Sequence, residues 1–251
     1  METLYMKAKK DNISKYVIFS GDPWRVDVFR ELLDDIEEVG FEREYNTFTG
    51  VYKGVRITVT STGMGAPSAA IAVEEMYECG MEVGIRMGTV MSMDHDMVGD
   101  FLIPLGSMRC EDTSDRYVEK SYPAIADFDI VNHLNRAVEE FGYNVHNGIH
   151  ATINSYYTDM KESRFSKESK RDVEKVMNDY QALGILGLDM ESSCMMTITR
   201  LMNVKFGVIT LATVSKNLKN YIDTEERIKM EKDLCIITLD AIVNIDKERN
   251  L

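Results

Sequence analysis

The sequence predicts an α/β fold, organised as a single domain in which a mixed β-sheet carries helices on both faces. Two observations predict it. Short apolar runs with strand character alternate with amphipathic helical segments along most of the chain. A hairpin pattern around Lys53 and Gly54 interrupts this alternation early, and it indicates antiparallel pairing within the same sheet. No linker, repeat or low-complexity tract divides the 251 residues, so we expect one domain spanning residues 1–251.

The first predicted strand, residues 15–20, leads directly into a helix start. Asp22 is expected to cap that helix and Pro23 to occupy its first position. Its buried face would carry Val26, Phe29, Leu32 and Leu33. Periodicity and turn residues then predict, in chain order, strands at 48–52 and 55–60, a helix from about 67 to 76, strands at 84–89 and 100–105, a helix at 127–141, a charged helix or flap at 161–180, a strand at 206–214 and a helix at 225–245.

The charge balance excludes several classes of function. Lys and Arg number 29 and Asp and Glu number 42, so the net charge is −13, and the sequence pI is about 4.8. Such a chain repels phosphate backbones and anionic lipid, so we expect neither nucleic-acid nor membrane binding. Any anionic ligand must then be held by a local cluster of arginines.

The sequence also indicates a cellular compartment. No segment has the length of a membrane span or the pattern of a secretion signal. The four cysteines (Cys79, Cys110, Cys194 and Cys235) have no metal-ligand spacing. Free thiols are typical of a reducing compartment, so we expect a cytoplasmic protein.

Arginines and glycines lie where predicted strands end, the edge at which α/β sheets bind ligands. Gly21 allows a ligand to approach the backbone, and Arg25 lies on the first turn of a helix whose free N–H groups attract anions. Arg86 interrupts an apolar strand, and a buried arginine needs either an anionic ligand or an internal carboxylate. Both interpretations of Arg86 stay open. Together with Arg43, these side chains offer the planar donors that suit phosphate.

Two carboxylates follow the strand-like residues 184–188 and precede an apolar helix. Asp189 fits a role in capping that helix. Glu191 fits such a role less well, and its carboxylate suits the vicinal hydroxyls of a sugar. His146 and His150, four residues apart in a predicted strand, indicate a structural or surface role rather than a metal pair.

Read in order, the motifs resemble those of the hexameric nucleoside phosphorylase family, which includes uridine phosphorylases and bacterial-type purine nucleoside phosphorylases. The resemblance rests on SGDPWRV at 20–26, REY at 43–45 with FTG at 48–50, STGMGAPS at 61–68, IRMGT at 85–89, YPAIAD at 122–127 and LDMES at 188–192. It implies the family's three-layer fold and reversible phosphorolysis, in which a nucleoside and inorganic phosphate give a free base and ribose 1-phosphate. No organic cofactor is implied.

The resemblance also assigns roles to residues. The family's phosphate site maps onto Gly21, Arg25, Arg86 and Thr89, with Arg43 contributed by a neighbouring subunit. Its ribose site maps onto Met190 and Glu191, with Thr89 and Asp189 beside them. Arg86 and Glu191 would act directly in catalysis, by holding the nucleophile and the sugar.

The identity of the base stays open between uracil and a purine. The purine enzymes carry a catalytic acid after a Thr-Val-Ser motif, whereas here Thr213-Val214-Ser215 is followed by Lys216. The uridine enzymes place polar base-reading residues after an aromatic pair, which Tyr156 and Tyr157 match. Tyr156, Arg164 and Ser215 are therefore the expected base-site residues. Lys216 is expected to neutralise negative charge on the leaving pyrimidine.

Two further alternatives remain, a nucleosidase that uses water and a nucleoside-binding homologue without turnover. The arginines argue against the nucleosidase, since water needs no cluster of cations, while Lys216 and Met91 favour the binding homologue. The resemblance further implies a homo-oligomer, at least a dimer, with a hexamer built as a trimer of dimers as the expected assembly. It places a monovalent cation, potassium, between paired subunits at Glu44, Met64 and Ser68.

Overall fold

The computed structural model describes residues 2–216, 218 and 220–249, so the predicted domain limits at 1 and 251 lie outside it. The strands of this part are β1 Tyr16–Ser20, β2 Asp34–Glu42, β3 Tyr45–Tyr52, β4 Val55–Ser61, β5 Val83–Ser92, β6 Phe101–Cys110, β7 Ala124–Ile125, β8 Val145–Ile153, β9 Ile185–Asp189 and β10 Lys205–Ser215. Its α-helices are α1 Pro23–Val26, α2 Ala66–Glu78, α3 Phe128–Glu140, α4 Tyr156–Asp159, α5 Arg164–Glu168, α6 Val173–Ala182, α7 Ser192–Leu201 and α8 Thr224–Arg249.

The strands form one mixed sheet in the order β10-β6-β8-β9-β5-β1-β4-β3-β2, with β7 paired to β6. β1 pairs in parallel with β4 and β5, whereas the β2–β3 and β3–β4 pairs are antiparallel. β10 pairs with both β6 and β5, so this part of the sheet closes on itself. The predicted mixed sheet and the hairpin around Lys53 are confirmed.

Helices cover both faces of the sheet, as predicted. Ile18 faces the core that contains residues of α3 and α8, and the next residue, Phe19, faces the core that contains residues of α2 and α7. Adjacent residues of a strand point to opposite faces, so β1 supplies both cores. The result is a three-layer α/β domain.

The chain after β1 differs from the predicted helix. Only α1 is α-helical, and the chain continues as a 3₁₀-helix over Asp27–Glu31. This tighter turn keeps Phe29 and Leu33 buried while the chain reverses into β2. The start was predicted correctly, since the Asp22 carboxylate accepts a hydrogen bond from the Trp24 amide at 2.9 Å.

β2 is a strand that the sequence pattern did not predict. Its sequence, DDIEEVGFE, is rich in acidic residues, none of its residues is fully buried, and β3 is its partner in the sheet. Exposed acidic residues carry little strand preference of their own, so the pairing with β3 decides the structure.

Three further expectations concern the charged segment 161–180, membrane-spanning helices and the cysteines. The charged segment 161–180 contains α5 and most of α6. Among the residues described, no helix is long and apolar enough to cross a membrane. Cys79, Cys194 and Cys235 are buried free thiols, and Cys110 is partly buried.

Candidate active site

A cavity of about 560 Å³ opens where β1, β4, β5, β9 and β10 end. It brings together residues that are far apart in the chain, because β1, β4, β5 and β10 run parallel and their carboxyl ends meet at one edge of the sheet, which the antiparallel β9 joins. The predicted site residues that line it are Gly21, Arg25, Glu44, Met64, Arg86, Thr89, Tyr156, Asp189, Met190 and Glu191.

Arg86 occupies the wall of this cavity on β5 and is buried. Its Nη2 bonds to the Glu191 carboxylate and lies 3.4 Å from Oδ2 of Asp189. Burial alone would lower the pKa of Arg86, but the two carboxylates outweigh it and hold that pKa above its ordinary value. The internal ion pair considered for Arg86 is therefore present, at a position that also faces the cavity.

The other terminal nitrogen of Arg86, Nη1, is buried and has no hydrogen-bond partner among the described residues. It lies so close to Gly88 that a Cβ at that position would be 2.4 Å away. A side chain at position 88 would displace this guanidinium, so Gly88 allows Arg86 to keep its position beside the cavity. A buried donor of this kind suits an anionic oxygen.

Glu191 lies at the junction of β9 and α7, with its carboxylate held from two sides. Oε1 accepts a hydrogen bond from the Gly65 amide at 2.6 Å, and Oε2 accepts one from Arg86. A carboxylate offers about four acceptor sites, so two are left for a ligand. Glu191 therefore has the acceptors that sugar hydroxyls require.

Asp189 directs its carboxylate into the protein. Oδ1 accepts a hydrogen bond from the Thr152 hydroxyl at 2.8 Å, and both oxygens accept from the Ser192 amide at 3.2–3.3 Å. These contacts fix the start of α7, in agreement with the capping role that the sequence indicated. Asp189 thus orients the segment that carries Glu191.

Arg25, on α1, is buried and forms a two-point ion pair with Glu231 of α8. Nε and Nη2 of Arg25 each lie 3.3 Å from a Glu231 oxygen, and Arg227 approaches the same carboxylate at 2.8 Å. Burial alone would raise the pKa of Glu231, yet the two arginines lower it. The sequence analysis missed Glu231, because nothing in a helical charge pattern points to a partner 206 residues away.

Arg43 is the one predicted phosphate residue that does not line the cavity of its own chain. It lies in the turn between β2 and β3 with a φ of +57°. Its guanidinium carbon is 5.6 Å from the centre of the Tyr5 ring. The adjacent Glu44 does line the cavity, so this turn reaches the cavity rim.

The predicted cation-site residues lie near one another at that rim. A Cβ built on Gly63 would be 2.9 Å from Cγ of Glu44 and 3.6 Å from Oγ of Ser68. Ser68 donates to the Gly65 carbonyl at 3.2 Å, while Met64 is largely exposed. Oxygen atoms of the kind that coordinate a monovalent cation are therefore present at the cavity rim.

The predicted base-site residues are only partly assembled. Tyr156, on α4, lines the cavity and packs edge-on against Tyr157. The Arg164 side chain is 92% exposed and pairs with Glu168. Ser215 is buried at the end of β10 but does not line the cavity. Lys216 directs its amine to Asn178 and Gln181 of α6, at 2.9 Å for Asn178.

His150 is a buried titratable side chain next to the site. Neither ring nitrogen has a hydrogen-bond partner among the described residues. Burial lowers its pKa to about 4, and the charge of Arg86 acts in the same direction while that of Asp189 opposes it. The structural role expected from the strand pattern agrees with this burial, whereas its proximity to Arg86 and Asp189 was not predicted.

Comparison with known proteins extends these observations. The model of the phosphorylase superfamily matches residues 15–242. Uridine phosphorylase of Thermococcus kodakarensis is 31% identical over 95% of this chain and 84% of its own. Guanosine phosphorylase of Halorubrum lacusprofundi is 33% identical over 85% of this chain and 83% of its own. A crystal structure of uridine phosphorylase from Vibrio fischeri superposes with a TM-score of 0.87 at 32% identity, covering 97% of this chain and 98% of that one.

Proposed function

This chain belongs to the phosphorylase superfamily, and we propose that the nucleoside it cleaves is uridine. Its activity is nucleoside phosphorolysis, in which phosphate displaces the base from the sugar and no organic cofactor takes part. The observation that best supports this activity is the composition of the cavity. It combines two arginines that are each paired with a carboxylate, the anchored Glu191 carboxylate and an aromatic side chain at one edge of the sheet.

The phosphate end of the reaction is assigned to Gly21, Arg25, Arg86 and Thr89. The two arginines supply cationic donors, and the unpartnered Nη1 of Arg86 is suited to a phosphate oxygen. Holding the nucleophile beside the sugar converts an encounter in solution into a reaction within one complex. These residues position phosphate and do not need to take up a proton.

The sugar is assigned to Glu191 and Met190, with Thr89 and Asp189 close by. As the bond from C1′ to the base breaks, positive charge develops on the sugar ring. The attacking phosphate oxygen forms the new bond to C1′, and the Glu191 carboxylate binds the hydroxyls and complements the charge. Because Gly65 and Arg86 hold Glu191 in place, little reorganisation is needed.

The base end is assigned to Tyr156, with Arg164, Ser215 and Lys216 as its polar groups. The electron pair of the broken bond leaves with the base, and a nearby cation stabilises that negative charge. For Lys216 to do so, its amine must leave Asn178 and Gln181. Lys216 suits a uracil oxygen, whereas the acid that purine enzymes use at this point is absent.

A purine nucleoside is the second candidate. The 33% identity to the guanosine phosphorylase of Halorubrum lacusprofundi favours it. The distinguishing experiment measures free base released from uridine, thymidine, inosine, guanosine and adenosine, with and without phosphate. Phosphate-dependent release from uridine, and not from purine nucleosides, is the expected result.

Other outcomes of this panel would contradict the proposal. Release from purine nucleosides alone would exclude uridine as the substrate. Release without phosphate would indicate a nucleosidase. Binding of every nucleoside without release would indicate a homologue that has lost catalysis.

The proposed assembly is at least a dimer, and by resemblance a trimer of dimers, acting in the cytoplasm. It is supported by Arg43, which does not line its own cavity but lies beside the cavity rim. Sedimentation equilibrium tests the proposed oligomeric state, and a strict monomer would leave Arg43 without a neighbouring site.

A potassium ion at Glu44, Met64 and Ser68 is also proposed. Comparing the activity in potassium and in tetramethylammonium salts tests it.

A further inference from the structure

We propose that Tyr5 is a positioning residue for Arg43, and that its ring orients the guanidinium that Arg43 presents to the phosphate site of a neighbouring copy. The proposal rests on the function proposed above, in which Arg43 completes that site. It assigns a role in the reaction to the N-terminal segment of the chain.

Arg43 is held differently from the other two phosphate arginines. Arg25 is paired with Glu231, and Arg86 with Glu191 and Asp189. Among residues 2–216, 218 and 220–249, no carboxylate forms an ion pair with Arg43, and its guanidinium lies over the Tyr5 ring. An aromatic face attracts a guanidinium without cancelling its charge. Arg43 therefore keeps its full attraction for an anion.

Tyr5 is well placed to act because its backbone is anchored to the core. The amides of Tyr5 and Met6 donate to the two oxygens of Glu75, at 2.7 Å and 2.8 Å. Glu75 is buried on α2, and the Met6 side chain is buried as well. The Tyr5 ring is 38% exposed, so it stands at the surface on a fixed support.

The turn that carries Arg43 is anchored to the same part of the fold. The Tyr45 hydroxyl donates to the Ser68 carbonyl at 3.1 Å, and the Asn46 amide donates to the Ser61 hydroxyl at 2.7 Å. Both anchors lie in the chain that runs from β4 into α2. The backbones of Tyr5 and of the Arg43 turn are thus anchored to the same part of the fold. The long Arg43 side chain is the part that can still move.

An exposed arginine has many rotamers, and ordering it on phosphate binding weakens that binding. The Tyr5 ring restricts those rotamers beforehand. A cation–π contact at an exposed site corresponds to an equilibrium factor of about twofold to fivefold. The expected signature is weaker phosphate binding without a change in the chemistry of bond cleavage.

The test compares Tyr5→Ala, Tyr5→Leu, Tyr5→Phe, Arg43→Ala and the double variant Tyr5→Ala/Arg43→Ala. Phosphate is varied at saturating nucleoside, and binding of inorganic phosphate alone is measured by calorimetry. Tyr5→Ala and Tyr5→Leu are expected to raise the KM and Kd for phosphate about twofold to fivefold, with kcat and the nucleoside KM unchanged. Tyr5→Phe keeps the aromatic face and is expected to match the parent protein.

The double variant should bind phosphate as weakly as Arg43→Ala alone, because Tyr5 acts through Arg43. Equal phosphate affinity of Tyr5→Leu and Tyr5→Phe would overturn the proposal, and so would additive effects in the double variant. If Tyr5→Ala does not fold, the comparison of Leu with Phe decides. Phosphate affinity unchanged in Arg43→Ala would refute the Arg43 assignment itself. If the parent protein shows no turnover but the variants show the expected differences in phosphate affinity by calorimetry, only the proposed reaction is refuted.

Discussion

The two ends of the cavity are built in opposite ways. At the proposed anion end, assigned to Gly21, Arg25, Arg86, Thr89 and Glu191, the charged side chains are buried and each has a partner of opposite charge. At the proposed base end, assigned to Tyr156, Arg164, Ser215 and Lys216, the two cations extend to partners away from the cavity. One end is preorganised, and the other is not.

The difference follows from where each end lies in the fold. The anion end lies on β5, β9 and the turn after β1, where strand pairing fixes the backbone. Much of the base end lies on α4 and α5, which have four and five residues and few buried side chains. Phosphate is the same co-substrate for every nucleoside and the sugar differs little between nucleosides, whereas the base varies widely. The fold therefore rigidly fixes the part of the chemistry that does not change.

Replacing Arg86 by Gln should give the largest effect and would show whether the anion end is as interdependent as its contacts indicate. The change removes the proposed phosphate donor and leaves Glu191 and Asp189 without their cation. We expect kcat/KM to fall by about 10³-fold or more, and stability to fall by about 3–5 kcal/mol. Steady-state kinetics and urea unfolding measure the two effects. Arg164→Gln is the control. Equal losses of kcat/KM and stability in the two variants would contradict the difference between the two ends of the cavity.

Replacing His150 by Leu should change the pH dependence of stability. The folded pKa of His150 is lowered to about 4, against about 6.5 when unfolded, so only the unfolded state takes up this proton between those values. The parent protein therefore loses stability as pH falls from 6.5 to 4, by about 3 kcal/mol from this group. The Leu variant should lack that part of the loss.

Urea unfolding at pH 7, 5.5 and 4.5 measures the effect of His150. Asp189 and Arg86 are the charged groups near the ring, and both remain in the variant. Parallel stability curves for the two proteins would show that His150 is not held neutral by burial.

Replacing Lys216 by Ala tests the base end. We expect kcat to fall about tenfold with an unchanged KM for phosphate, less than the 10²–10³-fold typical of a preformed donor. The effect is smaller because the amine must first leave Asn178 and Gln181. Lys216→Arg should retain most activity. A loss as large as that of the Arg86 variant would mean that the base end is preorganised after all.

Replacing Arg164 by Ala should have the smallest effect. Its side chain is 92% exposed, and its pair with Glu168 is a surface i, i+4 contact that contributes little to stability. We expect the nucleoside KM to rise only about twofold, because an exposed charged side chain contributes little to binding of the base. A tenfold increase would show that the base end is more ordered in the complex than its exposed side chains indicate.

Much of the anion end could be predicted from sequence, because short motifs report it. Gly21 and Arg25 belong to one turn, Arg86 and Thr89 to one strand, and Met190 and Glu191 to one strand–helix junction. The partners of these residues could not be predicted in the same way. Glu231, Gly65 and Thr152 reach the site through contacts that span the chain, and no local pattern encodes such pairs.

The fold was predictable for similar reasons, and the exceptions are instructive. Apolar strands and amphipathic helices are set by burial, which leaves a periodic pattern in the sequence. β2 has no such pattern, since none of its residues is fully buried and its pairing with β3 decides its structure. The 3₁₀-helix after α1 forms where the chain turns back towards the sheet. Hydrophobic periodicity gives no information about the geometry of such a turn.

The position of β2 has a consequence for how the protein behaves at high concentration. It ends the sheet order, so its outer backbone groups form an open edge to which another chain could add a strand. Asp34, Asp35 and Glu42 of β2 are exposed and acidic, while Glu37 and Glu38 pair with Arg56 and Arg30. A second copy would bring the same charges opposite one another, and their repulsion protects the edge against fibrous aggregation.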